Sequence, residues 1–322
     1  MGIKWGVLGT ANIADYGVIP GMLQADNCEL YAIAGRRQEK VDAYVNKFGF
    51  TKGYVGYDNL LNDPEVQAVY VPLPNDIHKE WVIKAVQAGK HVLCEKPLAM
   101  NAKESAEMYQ AAKDNGVILM EAYAYLHSPY IKALKDDINS GVIGDVQFIE
   151  SAFYTQGYDE DFRLHKQFGG GMVYDLGCYC TTMILSLINS EINMVKAVAE
   201  MTDEGVDFST AAILRFENGV RAAFNVGMVL GRNARYDRLY IKGTKGCIIS
   251  PVEYNQTGHL TYEVVVDGVK TIREIDAPNN YKLEVENLGC AIMGEEKPLI
   301  NPEFSLKNGK LLDTILDEIG YN

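Results

Sequence analysis

The 322-residue sequence is short of positive charge, of paired cysteines and of long apolar runs, and each shortage excludes a class of function. Lysine and arginine number 30 against 43 acids, a formal charge of -13. That balance argues against a broad nucleic-acid surface and against attraction to anionic membranes. No apolar run approaches the roughly 18 residues that cross a bilayer, so no membrane partner is expected. The six cysteines (Cys28, Cys94, Cys178, Cys180, Cys247, Cys290) contain no C-x-x-C pair. This usage fits reduced, buried thiols in a cytosolic protein. The five histidines (His78, His91, His127, His165, His259) lack metal-ligand spacing, so no metal is expected. Lys4 is followed by a short strand and a glycine turn, not by the apolar core of a signal peptide. Gly6 stands where a myristoylation site would carry Ser or Thr. A cytoplasmic location is the expectation.

What is present is 48% hydrophobic residues over a length that suits about two domains. Up to residue 122 short apolar runs alternate with helix-period segments: strands at Lys4–Leu8, Leu30–Ala34, Ala68–Val71, His91–Cys94 and Val117–Ala122, helices at 13–24, 38–48, 79–88 and 102–115. Strand–helix–strand repetition means parallel βαβ units in a doubly wound sheet. After residue 122 the pattern changes. Ser128-Pro129 reads as an N-cap with proline at the first helical position, and the helix stops at Gly141. Long strands then follow without intervening helices, and Glu217-Asn218-Gly219 is a hairpin signal. The fold class is therefore α/β: an N-terminal doubly wound domain over 1–122, and over 123–322 an α+β domain with a large, mainly antiparallel open sheet. Two terminal helices close the chain, the last with the option of packing back on the first domain.

Gly9-Thr10-Ala11-Asn12-Ile13 sits where the first strand turns into the first helix. Gly9 permits the tight turn, and the helix start offers N–H groups and partial positive charge to a pyrophosphate. The G-x-G-x-x-G pattern is degenerate, with Ala11 and Ala14 in place of its later glycines. At the end of the second strand, where NAD selectivity wants an acid, stand Arg36 and Arg37; Glu29 lies at the strand's other end. An arginine pair suits a 2′-phosphate, favouring NADP, with NAD use left open.

Lys96 follows an apolar strand and precedes Pro97, at the strand end where open α/β sheets place ligands. Proline restrains the residue before it to extended backbone. Farther on, Gly169-Gly170-Gly171 precedes a helix carrying Asp175 and Tyr179, four apart and so on one face. Three glycines allow close backbone approach to a ligand and leave the helix N-terminus open. A dehydrogenase must exchange a proton with a hydroxyl while hydride moves to nicotinamide, and a tyrosine with a lowered pKa can do so. Lys96 is the cation suited to stabilise its phenolate, and Asp175 can orient either group or bind a hydroxyl.

These pieces together (Gly9-Thr10-Ala11, Pro74-Asn75 with His78, Glu95-Lys96-Pro97, and Gly169 to Tyr179) resemble the glucose–fructose oxidoreductase/inositol dehydrogenase/MocA family over nearly the whole chain. The resemblance implies a Rossmann domain, a C-terminal domain whose sheet forms homodimers or dimers of dimers, and nicotinamide-linked chemistry on a sugar, polyol or cyclic diol. It further implies cofactor contacts from Pro72, Leu73, Asn75, His78, Glu95, Lys96 and Arg163, with His78 also readable as a structural helix-start residue. Tyrosine at 179 is similar to the branch of dihydrodiol and NADP-xylose dehydrogenases, where other members carry histidine. Leu126 and Ser128 depart from that branch, which has arginine and histidine there. Two other functions fit a bound dinucleotide, a non-catalytic regulator and a glycosidase using NAD transiently. A regulator needs no proton shuttle of the Lys96, Asp175 and Tyr179 kind, and the acid-poor second-strand end weighs against NAD.

Overall fold

A computed structural model describes residues 2–158, 160–251 and 254–321. In chain order the elements are β1 (Ile3–Leu8), α1 (Ile19–Gln24), β2 (Cys28–Gly35), α2 (Gln38–Phe48), β3 (Lys52–Val55), α3 (Tyr57–Leu61), β4 (Ala68–Val71), α4 (His78–Gln87), β5 (His91–Glu95), α5 (Ala102–Asp114) and β6 (Leu119–Ala122). There follow α6 (Pro129–Asn139), β7 (Val146–Gln156), α7 (Cys178–Leu187), β8 (Ile192–Met201), β9 (Asp207–Phe216), β10 (Arg221–Leu230), β11 (Arg235–Gly243), β12 (Gly246–Ser250), β13 (Gly258–Val266), β14 (Val269–Ala277), α8 (Asn280–Ile292) and α9 (Pro302–Glu318).

The chain divides into two compact units. The first comprises residues 1–127 and 278–309, the second 128–277 and 310–322. Sequence reasoning broke the chain at 123 and left α8 with the second domain. The structure returns 278–309 to the first unit because Tyr281 and its neighbours pack on α1 and the turn before it, where a Cβ on Gly21 or Gly17 would meet Tyr281 atoms at 2.6 and 3.0 Å.

The first unit is built on a six-stranded sheet in the order β3-β2-β1-β4-β5-β6, parallel throughout. Strands covered on both faces carry near-continuous apolar sequence, and Val69, Tyr70, Val71, Val92, Leu93 and Cys94 are fully buried. The strand order reverses between β1 and β4, the switch point where such sheets open a crevice at their carboxyl ends. The short β3 and α3 were not anticipated from the sequence.

The second unit carries an eight-stranded sheet in the order β14-β13-β12-β11-β7-β10-β9-β8. Only β7 and β10 pair in parallel; the other pairings are antiparallel. Ser128 caps α6, its Oγ accepting the Tyr130 N–H at 3.3 Å. The Asn218-Gly219 hairpin joins β9 to β10, with Gly219 at φ 87°. A second hairpin, Asp267-Gly268 at φ 51° and 77°, joins β13 to β14, a strand the sequence reading passed over. One sheet face is buried through Ile149, Leu214, Phe224, Leu239, Ile248 and Val264. The register puts Val198, Ile213, Tyr236 and Ile272 together on the opposite, exposed face.

Candidate active site

In the first unit the expected cofactor residues gather on the carboxyl ends of β1, β2, β4 and β5. Gly9 adopts φ 129°, a value that favours glycine, and a Cβ there would press on Leu73 at 3.3 Å and Pro72 at 3.8 Å. The turn after β1 therefore lies close against the turn after β4, and the positive φ at Gly9 is the stronger reason for glycine there. Thr10, Ala11, Asn12 and Ile13 remain partly or wholly accessible as the helix begins, and the first N–H groups of a helix have no partner within it. That helix opens with a π-helical turn, Ala14–Val18, before α1. Tyr44 of α2 donates to the Ala11 carbonyl at 3.4 Å. Arg36 and Arg37 are exposed just past β2, and Arg37 reaches Glu39 at 3.4 Å. The turn and the arginine pair thus fit a dinucleotide: close backbone approach and free donors at one place, exposed guanidinium groups at the other.

Lys96 follows β5 and is held through its backbone. Its N–H donates to Glu95 Oε2 at 3.3 Å, and Leu98 N–H donates to Glu121 Oε1 at 2.9 Å. His78 Nδ1 lies 3.0 Å from the Pro97 carbonyl and its Nε2 2.7 Å from that of Leu73. Sequence reasoning expected an extended backbone before Pro97; the chain bends from residue 96 on, and the Lys96–Pro97 peptide is cis. His78, expected at the cofactor, is instead fully buried with both ring nitrogens on backbone carbonyls, so it ties the turn after β4 to the turn after β5. Burial holds its pKa below the ordinary histidine value, opposed by those carbonyls. Asn75 is buried at the start of the short turn leading to α4.

Three buried groups around this strand end were not singled out in the sequence. Tyr70 donates from β4 to Glu95 Oε1, and its phenol is held well above the usual range by burial and by Glu95. Glu284 of α8 is fully buried, neither carboxyl oxygen meets a partner, and burial followed by Glu95 holds its pKa far above the ordinary carboxylate value. Burial pushes the Glu121 carboxyl of β6 up to about 7, opposed by Ser305, the Leu98 N–H, Tyr123 and Lys96.

In the second unit Tyr179 stands in the first turn of α7, half-buried, with its ring 5.7 Å edge-on from Phe153 and 5.0 Å from Tyr254. Phe153 and Tyr254 stack at 4.9 Å, and the Arg235 guanidinium lies 4.7 Å over Phe153. Asp175 does not wait for a ligand alone: it accepts from Arg163 Nε at 2.7 Å, while Arg163 Nη1 reaches Asp161 at 3.0 Å. Burial works against the guanidinium charge, yet Asp175 beside it holds the Arg163 pKa above its ordinary value. Arg163, expected at the cofactor, is thus an ion-pair partner of Asp175.

Gly170 and Gly171 serve the protein's own packing. Gly169 is left-handed at φ 69°. A Cβ on Gly170 would strike the Arg163 carbonyl at 2.5 Å, and one on Gly171 would strike Asp207. Sequence reasoning expected an open helix start after them. Instead Asp207 Oδ2 accepts the Val173 N–H at 2.9 Å and the Thr210 hydroxyl at 2.6 Å. Burial pushes the Asp207 carboxyl up to about 7, opposed by those donors. From the C-terminal end, Tyr321 donates to the Gly170 carbonyl at 2.8 Å. Asp175 and Tyr179 belong to a helix that opens with a π-helical turn, Val173–Gly177, as the Gly9 helix does; such turns recur at functional sites. Asp207 had no sequence signal, being one acid at the start of one strand. Among the described residues no cluster of His, Cys, Asp and Glu could hold a metal, and no helix is long and apolar enough to cross a membrane.

The sequence matches two family models. Residues 3–123 fit the oxidoreductase family with an NAD-binding Rossmann fold, and residues 131–249 fit the Gfo/Idh/MocA C-terminal domain. A D-xylose 1-dehydrogenase (NADP(+)) from Haloferax volcanii is 31% identical over 98% of this chain and 97% of its own length. A trans-1,2-dihydrobenzene-1,2-diol dehydrogenase from Xenopus laevis is 31% identical over 99% and 97%. Among solved structures, a 3-ketoreductase from Actinomadura kijaniata, in complex with NADP and TDP-benzene, superposes with a TM-score of 0.93 at 27% identity, covering 99% of this chain and 98% of that one. With its parallel sheet, dinucleotide turn and mainly antiparallel second sheet, the chain belongs to the Gfo/Idh/MocA family of oxidoreductases.

Proposed function

We propose that the protein interconverts a hydroxyl and a carbonyl group on a sugar, polyol or cyclic diol, using NADP(H) in preference to NAD(H). The observation that carries this reading is the gathering of Gly9, Arg36, Arg37 and Lys96 on the carboxyl ends of one parallel sheet. NADP is named or bound in two of the relatives, which supports the 2′-phosphate reading of the arginine pair. The backbone at 9–13 would hold the pyrophosphate and Arg36 with Arg37 the 2′-phosphate. Pro72, Leu73, Asn75, Glu95 and Lys96 would line the nicotinamide end.

When bound, the nicotinamide supplies or accepts the hydride. The chain's own residues deal with the proton. Tyr179 takes it from the substrate hydroxyl during oxidation and returns it during reduction. Lys96 contributes positive charge that favours the oxyanion form of the reacting oxygen. The Arg163–Asp175 pair orients the helix turn that carries Tyr179 and leaves Asp175 able to accept from a substrate hydroxyl. Exposed apolar side chains among the charges of one sheet face, Val198, Ile213, Tyr236 and Ile272, support a homodimer, or a dimer of dimers, formed through the second unit's sheet. The thiols, none in a disulfide, suit a cytoplasmic location.

Purified protein incubated with aldoses, inositols and cyclic diols, with NADPH absorbance followed, tests the activity. A substrate-dependent signal stronger with NADP than with NAD is the expected result. Tightly held, non-exchanging NAD with no turnover of added NADP would sink the proposal. Size-exclusion chromatography with light scattering tests the dimer, and a monomer at all concentrations overturns it.

A further inference from the structure

We propose that Asp207 is a positioning residue that acts through Tyr179: reaching across from β9, its carboxylate holds the start of the helix that carries the tyrosine and so sets where the phenol hydroxyl stands. This rests on the reading that Tyr179 moves the proton.

The geometry lies within the second unit. The helix runs without a break from the π-helical turn Val173–Gly177 into α7. The chain just before it, Gly169-Gly170-Gly171-Met172, offers no side chain that caps its first N–H groups. Such donors leave a helix end loose unless something accepts from them. Here the acceptor comes from 34 residues away: Asp207 Oδ2 takes the Val173 N–H at 2.9 Å. The same oxygen is held by the Thr210 hydroxyl of its own strand at 2.6 Å. Asp207 is fully buried. A cap alone needs no burial, since an exposed Ser, Asn or Asp at the helix start does as well, and burying a carboxylate is costly. What burial adds is a fixed frame, because β9 is paired with β8 on one side and β10 on the other. The place is kept open for the carboxyl: Gly171, at φ 105°, passes so near Asp207 Oδ1 that a Cβ would strike it. A second clamp comes from Tyr321, which donates to the Gly170 carbonyl at 2.8 Å and meets the Tyr174 ring edge-on at 5.7 Å. The start of the helix is thus tied to β9. Tyr179, six residues after Val173, lays its ring against Phe153 of β7. Strands β7, β10 and β9 are neighbours in one sheet. The turn bearing Tyr179 is therefore pinned to that sheet at two points, roughly 9 Å apart along the helix. Releasing the first lets the hydroxyl drift, and a misplacement of about 1 Å is enough to cost a reaction on the order of 10²-fold.

The position of the phenol is measurable without substrate or cofactor. Tyr179 is replaced by 3-fluorotyrosine, and its fluorine resonance is recorded at about pH 8, where the Asp207 carboxyl, raised to about 7, is ionised. A single narrow line is expected in the native chain. Asp207→Ala should shift or split that line by more than its width. Asp207→Asn, which keeps an acceptor for the Val173 N–H, should bring it most of the way back. A line unmoved in Asp207→Ala overturns the proposal, as does one no nearer to native in Asp207→Asn. Should Asp207→Ala not fold, Thr210→Val removes the hydroxyl that holds the carboxylate and keeps the side-chain shape. It must then move the line in part, and an unmoved line overturns the proposal. With a responsive substrate, Asp207→Ala should lower kcat roughly 10–100-fold in the native chain. It should leave NADPH affinity unchanged, and it should not slow Tyr179→Phe any further. Equal losses in both backgrounds overturn the proposal, because Asp207 would then act on something other than the tyrosine. Unchanged turnover of Tyr179→Phe removes the tyrosine from the reaction, whereas lost turnover there with an unmoved fluorine line removes only the role of Asp207.

Discussion

In the first unit the turn carrying Lys96 is fixed through its backbone: Glu95 and Glu121 accept its N–H groups and His78 grips its carbonyl. In the second unit Tyr179 is fixed by its own ring, which packs against Phe153 and Tyr254. The difference shows where each reactive group can be altered without damage. A turn held by its backbone keeps its shape when the side chain it carries is replaced. A ring that is part of the packing cannot be removed without loosening its neighbours, although its hydroxyl can.

The strongest way to break this comparison is Tyr179→Phe. It keeps the ring contacts and removes the proton carrier, so turnover should fall roughly 10²–10⁴-fold while Tm and cofactor affinity hold. Steady-state rates with a responsive substrate check it, and an unchanged rate removes Tyr179 from the mechanism. Tyr179→Ala adds a structural loss. It should cost about 2 kcal/mol of unfolding free energy in urea, against less than about 0.5 kcal/mol for Lys96→Met at acid pH. Equal costs would mean that the two residues are supported alike.

Next in size is Arg36→Ala, expected to weaken NADPH by about tenfold and NADH little, as loss of one charge-assisted hydrogen bond implies. Equal weakening of both cofactors, by fluorescence titration, would end the 2′-phosphate assignment. The smallest effect concerns the polar clamp's surroundings. A carboxyl whose pKa is raised by folding binds its proton more tightly in the folded chain than in the unfolded one. Its contribution is therefore most favourable at low pH and is lost as pH climbs from the ordinary value through the raised one. Glu121 and Asp207, each raised to about 7, and Glu284, raised well above its ordinary value, should make the protein less stable at about pH 8 than at about pH 5. Glu284→Gln, neutral at every pH, should flatten part of that slope by a few degrees of Tm, and an unchanged slope would show that Glu284 does not titrate there.

Much of this was legible in the residue pattern, and the limits have physical reasons. The parallel strands of the first unit are continuous apolar runs, and their ends at Gly9, Arg36 and Lys96 carry residue types with few other uses. Asn218-Gly219 announced its hairpin. Asp267-Gly268 announced another, but β14 is an edge strand whose charged, exposed sequence lacks the apolar alternation that marks a half-buried strand. Glu121 and Asp207 were invisible because one acid in a strand reads as solvated until its neighbours are known. The glycines at 169–171 were read as room for a ligand, whereas Gly170 and Gly171 make room for the chain's own carbonyls and Asp207. The helix α8 was legible as a terminal helix, but not what its buried face meets.

That last contact bears on how the protein is made. Asp26 at the end of α1 hydrogen-bonds Glu286, 260 residues later, and Tyr281 fills the space left by Gly17 and Gly21. Residues 1–127 of the dinucleotide-binding unit are made before 278–309, so that unit lacks α8 and the start of α9 until 150 further residues have been added. Its closing contacts are among the most distant in sequence, the kind that form slowly. A chain cut after Ala277 should therefore expose the α1 face and aggregate, and a peptide covering 278–322 supplied separately should restore NADPH binding to it.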